Sequence, residues 1–222
     1  MKRLLAILSF AVLAGCGSER EPGGLIDLTT SSLGTLIGLG SPEPESDVRP
    51  LLSPAFLEQV GKPVLLVVDV NRDQAAGFTP VATGVGNVVQ WRDGSGIGVL
   101  LRSGILVGTR GLGFDLLTAD VDGLIGALGR GGGEDVLRVE RRLRGDSTIE
   151  VRDYLCDVVP VGSETIEFYG QSWRTSLYEE RCVGEGQALT NRYWVDTTGA
   201  VRRQQVEVSD ELGRFDLSLL RN

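Results

Sequence analysis

The sequence predicts a mainly β protein: an antiparallel β-barrel-like or strongly curved meander sheet with two or three short helices. Two observations carry this. From Lys62 onward, short runs rich in Val, Leu, Ile and aromatic residues are separated by Gly and Asp-Gly, the mark of strands joined by tight turns. Helical spacing of apolar residues occurs in only two or three places, and sequential strands with short turns close into a barrel or fold over on themselves.

The elements follow in chain order. MKRLLAILSFAVLAGC begins with Lys2 and Arg3, continues as an apolar run from Leu4 to Leu13, and ends in small residues at Cys16. Residues 1–15 therefore read as a secretory signal peptide, too short in its apolar part to span a membrane. Leu13-Ala14-Gly15-Cys16 matches the bacterial lipobox, which makes Cys16 the expected lipidation site, carrying a diacylglycerol thioether and an N-acyl chain such as palmitate. Several chains, at about 0.8 kcal/mol per buried methylene, hold a protein stably on a membrane. Gly17 follows the cysteine where inner-membrane retention would call for Asp, so the expected place is the periplasmic face of the outer membrane.

Residues 16–50 read as the lipidated cysteine and a linker, with SEREPGG and SPEPESDVRP at its ends. Between them LIDLTTSSLGTLIGLG fits a helix imperfectly. Residues 51–222 read as one β-rich domain. It opens with a short helix in which Ser53 is the N-cap, Pro54 the first helical residue and Gly61 the stop. PVLLVVDV, FTPVATG, NVVQWRD, GIGVLLRS and ILVGT follow as strands. DLLTADVDGLIGAL then places Leu116, Leu117, Val121, Leu124, Ile125 and Leu128 at helical spacing, with Asp115 as N-cap and GRGGG as the end.

The second half is a meander, and one hairpin can be argued to the residue. With Gly145, Asp146 and Ser147 as a three-residue loop, Arg144 opposes Thr148, Arg142 opposes Glu150 and Glu140 opposes Arg152. Leu143 then meets Ile149 and Leu137 meets Leu155. A one-residue slip would scramble both the charge pairs and the apolar pairs. The apolar set is expected on the inner face, which Arg141 and Asp153 interrupt, either as a structural salt bridge or as the lining of a polar cavity. TIEFYGQS, WRTSLYEERCV, ALTNRYWVDT, AVRRQQVEV and FDLSLLR complete the strands, with a turn at Thr198-Gly199.

Composition excludes several functions. Of 22 basic residues Lys2 and Arg3 leave with the signal peptide, so the body carries 20 against 30 acidic residues, a net charge of −10. Such a body is repelled by nucleic acid. There is no histidine, which removes Ser-His-Asp and Cys-His chemistry and the common zinc sets, and no D-x-D-x-D-G series for calcium. No metal or cofactor is expected. In an oxidising periplasm Cys156 and Cys182 read as one disulfide, closing a loop of about 27 residues for roughly 3–4 kcal/mol. GTRGLGFD, residues 108–115, has a strand before it and an expected helix after it, as phosphate cradles do. It lacks the GK[ST] ending and its glycines are not spaced GxGxxG, so no nucleotide is expected there. Arg110 is left either to pair with Asp115 or to reach a partner. The pairs Glu179-Glu180 and Asp120 with Asp122 leave a carboxylate-based glycan hydrolase as an alternative.

Several blocks resemble the YjbF-type, or group 4 capsule polysaccharide, lipoproteins over nearly the whole chain after the signal peptide. They are the lipobox cysteine Cys16, TPVATGVGNVVQWRD, GILVGTRGLGFDLLTAD, EFYGQSWRTSLYEERC with the late cysteines, and NRYWVDTTGAVRRQQVEVSDELGRFDLSLL. Phe114 and the QVEV segment depart from the family pattern. The resemblance implies a barrel-like antiparallel fold, a non-catalytic role in exopolysaccharide or capsule production, and partners among polysaccharide-export proteins or the polysaccharide itself. It carries no catalytic residues. Trp91, Trp173, Tyr193 and Trp194 are candidate sugar contacts, since aromatic faces stack on sugar rings, and core packing is the competing role for each. A lipid- or lipoprotein-carrying module with an apolar cavity is the further alternative.

Overall fold

A computed structural model describes residues 47–221. The signal peptide, Cys16, the segment LIDLTTSSLGTLIGLG and most of the linker fall outside the described residues. The first half of the body contains β1 (Val64–Asp69), β2 (Gln74–Thr83), β3 (Val88–Arg92), β4 (Gly98–Arg102), β5 (Ile105–Arg110) and β6 (Leu116–Asp120). The second half contains β7 (Gly133–Leu143), β8 (Ile149–Phe168), β9 (Gln171–Gly184), β10 (Gln187–Asp196), β11 (Val201–Ser209) and β12 (Gly213–Arg221). The twelve strands form one antiparallel sheet in the order β5-β4-β3-β2-β1-β12-β11-β10-β9-β8-β7-β6. The sheet curls until its two edge strands, β5 and β6, lie side by side, giving a nearly closed barrel.

Two helices accompany it. α1 (Pro54–Val60) has the expected caps: Ser53 Oγ accepts the Phe56 N–H at 3.1 Å and Gly61 is left-handed at φ 64°. Leu57, with Val48 and Leu52 before it, covers the outward side of β1 and β12 at Val64, Leu66 and Leu220. The linker expected to run to Pro50 therefore ends earlier, because Val48 is buried and Arg49–Leu51 is a 3-10 turn.

α2 (Asp122–Arg130) is shorter than its apolar spacing predicted. Residues 116–120 form β6, paired with β7, so Asp115 does not cap a helix. The spacing misled because a bulged strand also buries Leu116 and Ala119, and tertiary pairing outweighs a weak helical preference. The helix starts where Asp120 Oδ1 accepts the Asp122 N–H at 3.1 Å, and it ends at left-handed Gly131. Leu124, Ala127 and Leu128 seat it in the main core.

Asp115 has a different task. Its carboxylate accepts from Thr109 Oγ1 at 2.8 Å and from the N–H groups of Gly111 and Leu112, which fixes the β5–β6 turn. Thr109 Oγ1 in turn accepts the Leu116 N–H at 3.0 Å. Arg110 does not pair with Asp115. Its guanidinium spans the gap between the edge strands, donating to the Thr109, Leu116 and Leu117 carbonyls at 2.6, 3.4 and 3.2 Å. Gly108 permits this approach: a Cβ there would lie 3.2 Å from both the Leu116 and Leu117 carbonyl oxygens.

The β7–β8 hairpin has the expected register, including Arg142 opposite Glu150, Glu140 opposite Arg152, and Leu137 opposite Leu155. Its faces are reversed. Arg138, Glu140 and Arg142 are buried, whereas Leu137, Ile149 and Leu155 are each more than half exposed. Arg141 and Asp153 consequently stand on the exposed side. TIEFYGQS is not one strand: β8 runs through a bulge at Pro160 to Phe168 and turns at Tyr169-Gly170, both left-handed, into β9.

Candidate functional site

The interior of the second half is charged. Glu140 accepts from Arg138 Nε at 2.7 Å and from Arg142 Nε at 2.8 Å, and Arg142 Nη2 lies 2.6 Å from the same carboxylate as an ion pair. Arg138 Nη1 reaches both Glu180 oxygens at 3.3 Å. Glu180 is completed by Asn191 Nδ2 at 2.8 Å and Tyr193 Oη at 2.9 Å. All six side chains are almost fully buried. At the barrel end Arg142 continues to Asp210 at 3.3 Å, where Arg152 also lands at 2.8 Å.

The fold sets this row. Arg138, Glu140 and Arg142 are two residues apart on β7, so the pleat points all three inward, and β9 and β10 supply Glu180, Asn191 and Tyr193 on the same side. Burial pushes the Glu140 carboxyl up, but the flanking guanidiniums more than offset this and hold it below the usual carboxylate range. Burial likewise opposes the Arg138 charge, and Glu180 and Glu140 keep it protonated. Tyr193 is pushed well above the ordinary phenol range, first by burial and then by the Glu180 charge, so its hydroxyl stays a donor. Two arginines and two glutamates make a neutral set, which is how the barrel tolerates them. Sequence reasoning missed this set. The available signal was Arg-x-Glu-x-Arg, alternating in sign on one face of a strand.

Glu180 also lies against the Cys156–Cys182 disulfide, whose sulfurs are bonded to each other and so are not metal ligands. The bridge joins residues directly opposite on β8 and β9 and is buried.

The aromatic candidates do not converge on one surface. Tyr193 belongs to the charged interior. Trp194 is buried, with its indole N–H on Glu164 and the Arg203 guanidinium 4.7 Å above its ring. Trp173 is half-buried, with Arg202 5.2 Å over its ring and Phe168 beside it. Arg202 is also held 2.5 Å from Asp196. Arg110 closes the barrel seam.

Trp91 lines a different feature, an apolar cup of about 330 Å³ at one barrel end. Leu65, Val89, Leu101, Leu217 and Leu219 form its other apolar walls, beneath a rim at Asn87 and Ser103. Gln204 crosses the barrel at this end, accepting the Leu106 N–H at 3.0 Å and donating to the Gly104 carbonyl at 2.6 Å. Among the described residues no helix is long and apolar enough to cross a membrane.

The chain is similar in structure to the hypothetical lipoprotein YmcC from Escherichia coli (K12), seen in a crystal structure. The TM-score is 0.65 at 17% sequence identity, over 82% of this chain and 98% of that one. At that identity the likeness shows a shared fold. No curated protein matches the sequence. The sequence model of the family described as "Group 4 capsule polysaccharide lipoprotein gfcB, YjbF" matches residues 46–220, which spans the whole barrel. The chain belongs to this family of capsule polysaccharide lipoproteins.

Proposed function

We propose that this protein is a lipoprotein anchored through Cys16 at the periplasmic face of the outer membrane, where it serves capsule or exopolysaccharide production as a non-catalytic interaction or assembly component. Family membership supports the polysaccharide role. The observation that carries the non-catalytic part is the state of the interior carboxylates. Glu140 and Glu180 are both fully buried and both bound to Arg138, so neither can come within hydrogen-bond reach of a glycan. The outer carboxylates Glu179, Asp196, Asp210 and Asp216 are likewise paired with arginines. The charged row also argues against a carrier that fills the whole barrel with acyl chains.

The test compares a deletion strain with strains complemented by the wild-type gene and by Cys16→Ser. Surface polysaccharide falls in the deletion strain, returns with the wild type, and stays low with the unanchored form. Normal polysaccharide in the deletion strain overturns the role, and full rescue by Cys16→Ser overturns the anchor.

A further inference from the structure

The charged row occupies the part of the interior bounded by β7, β9 and β10, while the cup lies across the barrel between β1, β3, β4, β11 and β12. Its rim residues Asn87 and Ser103 sit in the β2–β3 and β4–β5 turns, and both are exposed. The cup therefore opens to solvent at this end of the barrel.

Its walls define what fits. Leu65, Val89, Leu101, Leu217 and Leu219 offer only hydrocarbon. The polar side chains at the wall below the rim are engaged elsewhere: Gln204 uses its oxygen on Leu106 and its nitrogen on Gly104, Arg202 is bound to Asp196 and Arg203 to Asp216, each at 2.5 Å. A sugar would lose its water contacts here and gain few in exchange. The indole N–H of Trp91 has no acceptor among the described residues, but it is buried and does not open onto the cup, so the wall offers a ligand hydrocarbon and ring surface only.

We infer that this cup binds a single alkyl chain of about ten carbons. The size follows from the volume: 330 Å³ holds roughly eleven groups of water-like size at about 30 Å³ each. Small-ligand pockets begin near this volume. The site holds one chain, and it stands whether or not the polysaccharide role does. The chain belongs to a fatty acyl group or to an isoprenoid, both of which present the same hydrocarbon to these walls.

The experiment uses the full chain after the signal peptide, made as Cys16→Ser so that no anchor competes. N-phenyl-1-naphthylamine fluorescence reports occupancy, and the competitors are the straight-chain fatty acids from hexanoate to tetradecanoate and, separately, geranic acid. Competition is saturable at one equivalent, tightens by about fourfold per methylene, and levels off near ten to twelve carbons. Straight chains competing better than geranic acid assigns a fatty acyl ligand, and the reverse order assigns an isoprenoid. Val89→Trp fills the cup and weakens decanoate by at least tenfold with an unchanged circular dichroism spectrum. Leu155→Ser, on the exposed apolar row of β7–β9, leaves binding unchanged. If Val89→Trp fails to fold, the chain-length series on the unaltered cup decides alone. Non-saturable competition, no plateau with chain length, or loss of binding in Leu155→Ser instead of Val89→Trp overturns the proposal.

Discussion

Replacing Glu140 by Gln tests whether the buried charges hold the barrel together as a neutral set. Glu140 has no exposed surface and meets Arg138 and Arg142 at 2.7 and 2.6 Å. Glutamine keeps the shape and removes one charge, leaving a net positive interior and pointing an amide N–H₂ at guanidinium donors. At an effective dielectric near 20 each lost pair is worth about 4 kcal/mol at 4 Å, and relief of carboxylate burial returns part of the total. The net expectation is the range for breaking a buried pair, about 3–5 kcal/mol. For a body of this size that lowers the melting temperature by roughly 10 °C. Urea unfolding followed by circular dichroism measures it, as a lower midpoint with an unchanged slope.

Glu179→Gln is the matched control. Glu179 pairs with Arg181 and Arg192, whose side chains are 57% and 46% exposed, so the loss is expected below about 1 kcal/mol. Adding Arg138→Met to Glu140→Gln restores neutrality, because Glu180 and Arg142 remain, and it recovers more than about 1 kcal/mol. If Glu140→Gln costs no more than Glu179→Gln, or if the double variant is less stable than the single by the full cost of Arg138→Met alone, the neutral-set reasoning is wrong.

Acid should destabilise the protein by titrating Glu140 and Asp196. Glu140 and Asp196 both have folded pKa values below their unfolded ones, so their contribution is present above about pH 4 and is lost as pH falls through the folded values. Burial raises Asp196, but Thr198 and Arg202 outweigh it and bring it to about 2, so Asp196→Asn costs on the order of 2 kcal/mol at pH 7 and flattens the stability profile between about pH 4 and 2. Gly108→Ala places a methyl against the Leu116 and Leu117 carbonyls and should cost about 1–3 kcal/mol, with faster hydrogen exchange at the Leu116 amide than in a Gly129→Ala control, where the backbone is helical and a Cβ meets open space. Replacing Cys156 and Cys182 together by Ser should cost about 3 kcal/mol in denaturant midpoint, and the native bridge should resist reductant until denaturant exposes its buried sulfurs.

The β7–β8 hairpin shows how far the sequence could be read. Register was legible because two independent patterns, charge pairs and apolar pairs, agreed on it. The choice of face was not, because the rule that charge faces water fails once Arg138, Glu140 and Arg142 neutralise one another and Glu180 arrives from a strand 40 residues away. Caps and turns decided by adjacent residues, such as Ser53, Gly61 and the Gly145–Ser147 loop, were readable. The disulfide was readable from the cysteine count together with the oxidising compartment expected from the sequence. The end of β6 and the start of α2 depended on pairing with β7, which local spacing does not encode. The aromatic candidates shared a residue type and no common place, since Trp91 faces the cup, Tyr193 the charged row, and Trp173 and Trp194 stack with arginines.

The seam explains why GTRGLGFD carries three glycines. Two edge strands that meet without a hydrogen-bonded ladder leave backbone carbonyls to satisfy, and an exposed edge invites pairing with other chains. Here Gly108 removes the Cβ that would hold β5 and β6 apart, and Gly111 and Gly113 take the left-handed turn. Asp115 ties that turn together, and Arg110 supplies the donors the missing ladder would have supplied. A phosphate cradle points backbone N–H groups outward at an anion. In this loop the Gly111 and Leu112 N–H groups are consumed by Asp115, a built-in carboxylate, so the same composition closes a barrel and leaves no anion site. Closure at this seam also fixes the position of β4 and β5, and through the Gln204 bridge to Gly104 and Leu106 it holds the wall of the cup in place. Opening the seam by Gly108→Ala should therefore weaken alkyl-chain binding at the cup as well as stability, whereas Glu140→Gln, acting on the opposite wall, should change stability and leave that binding intact under native conditions.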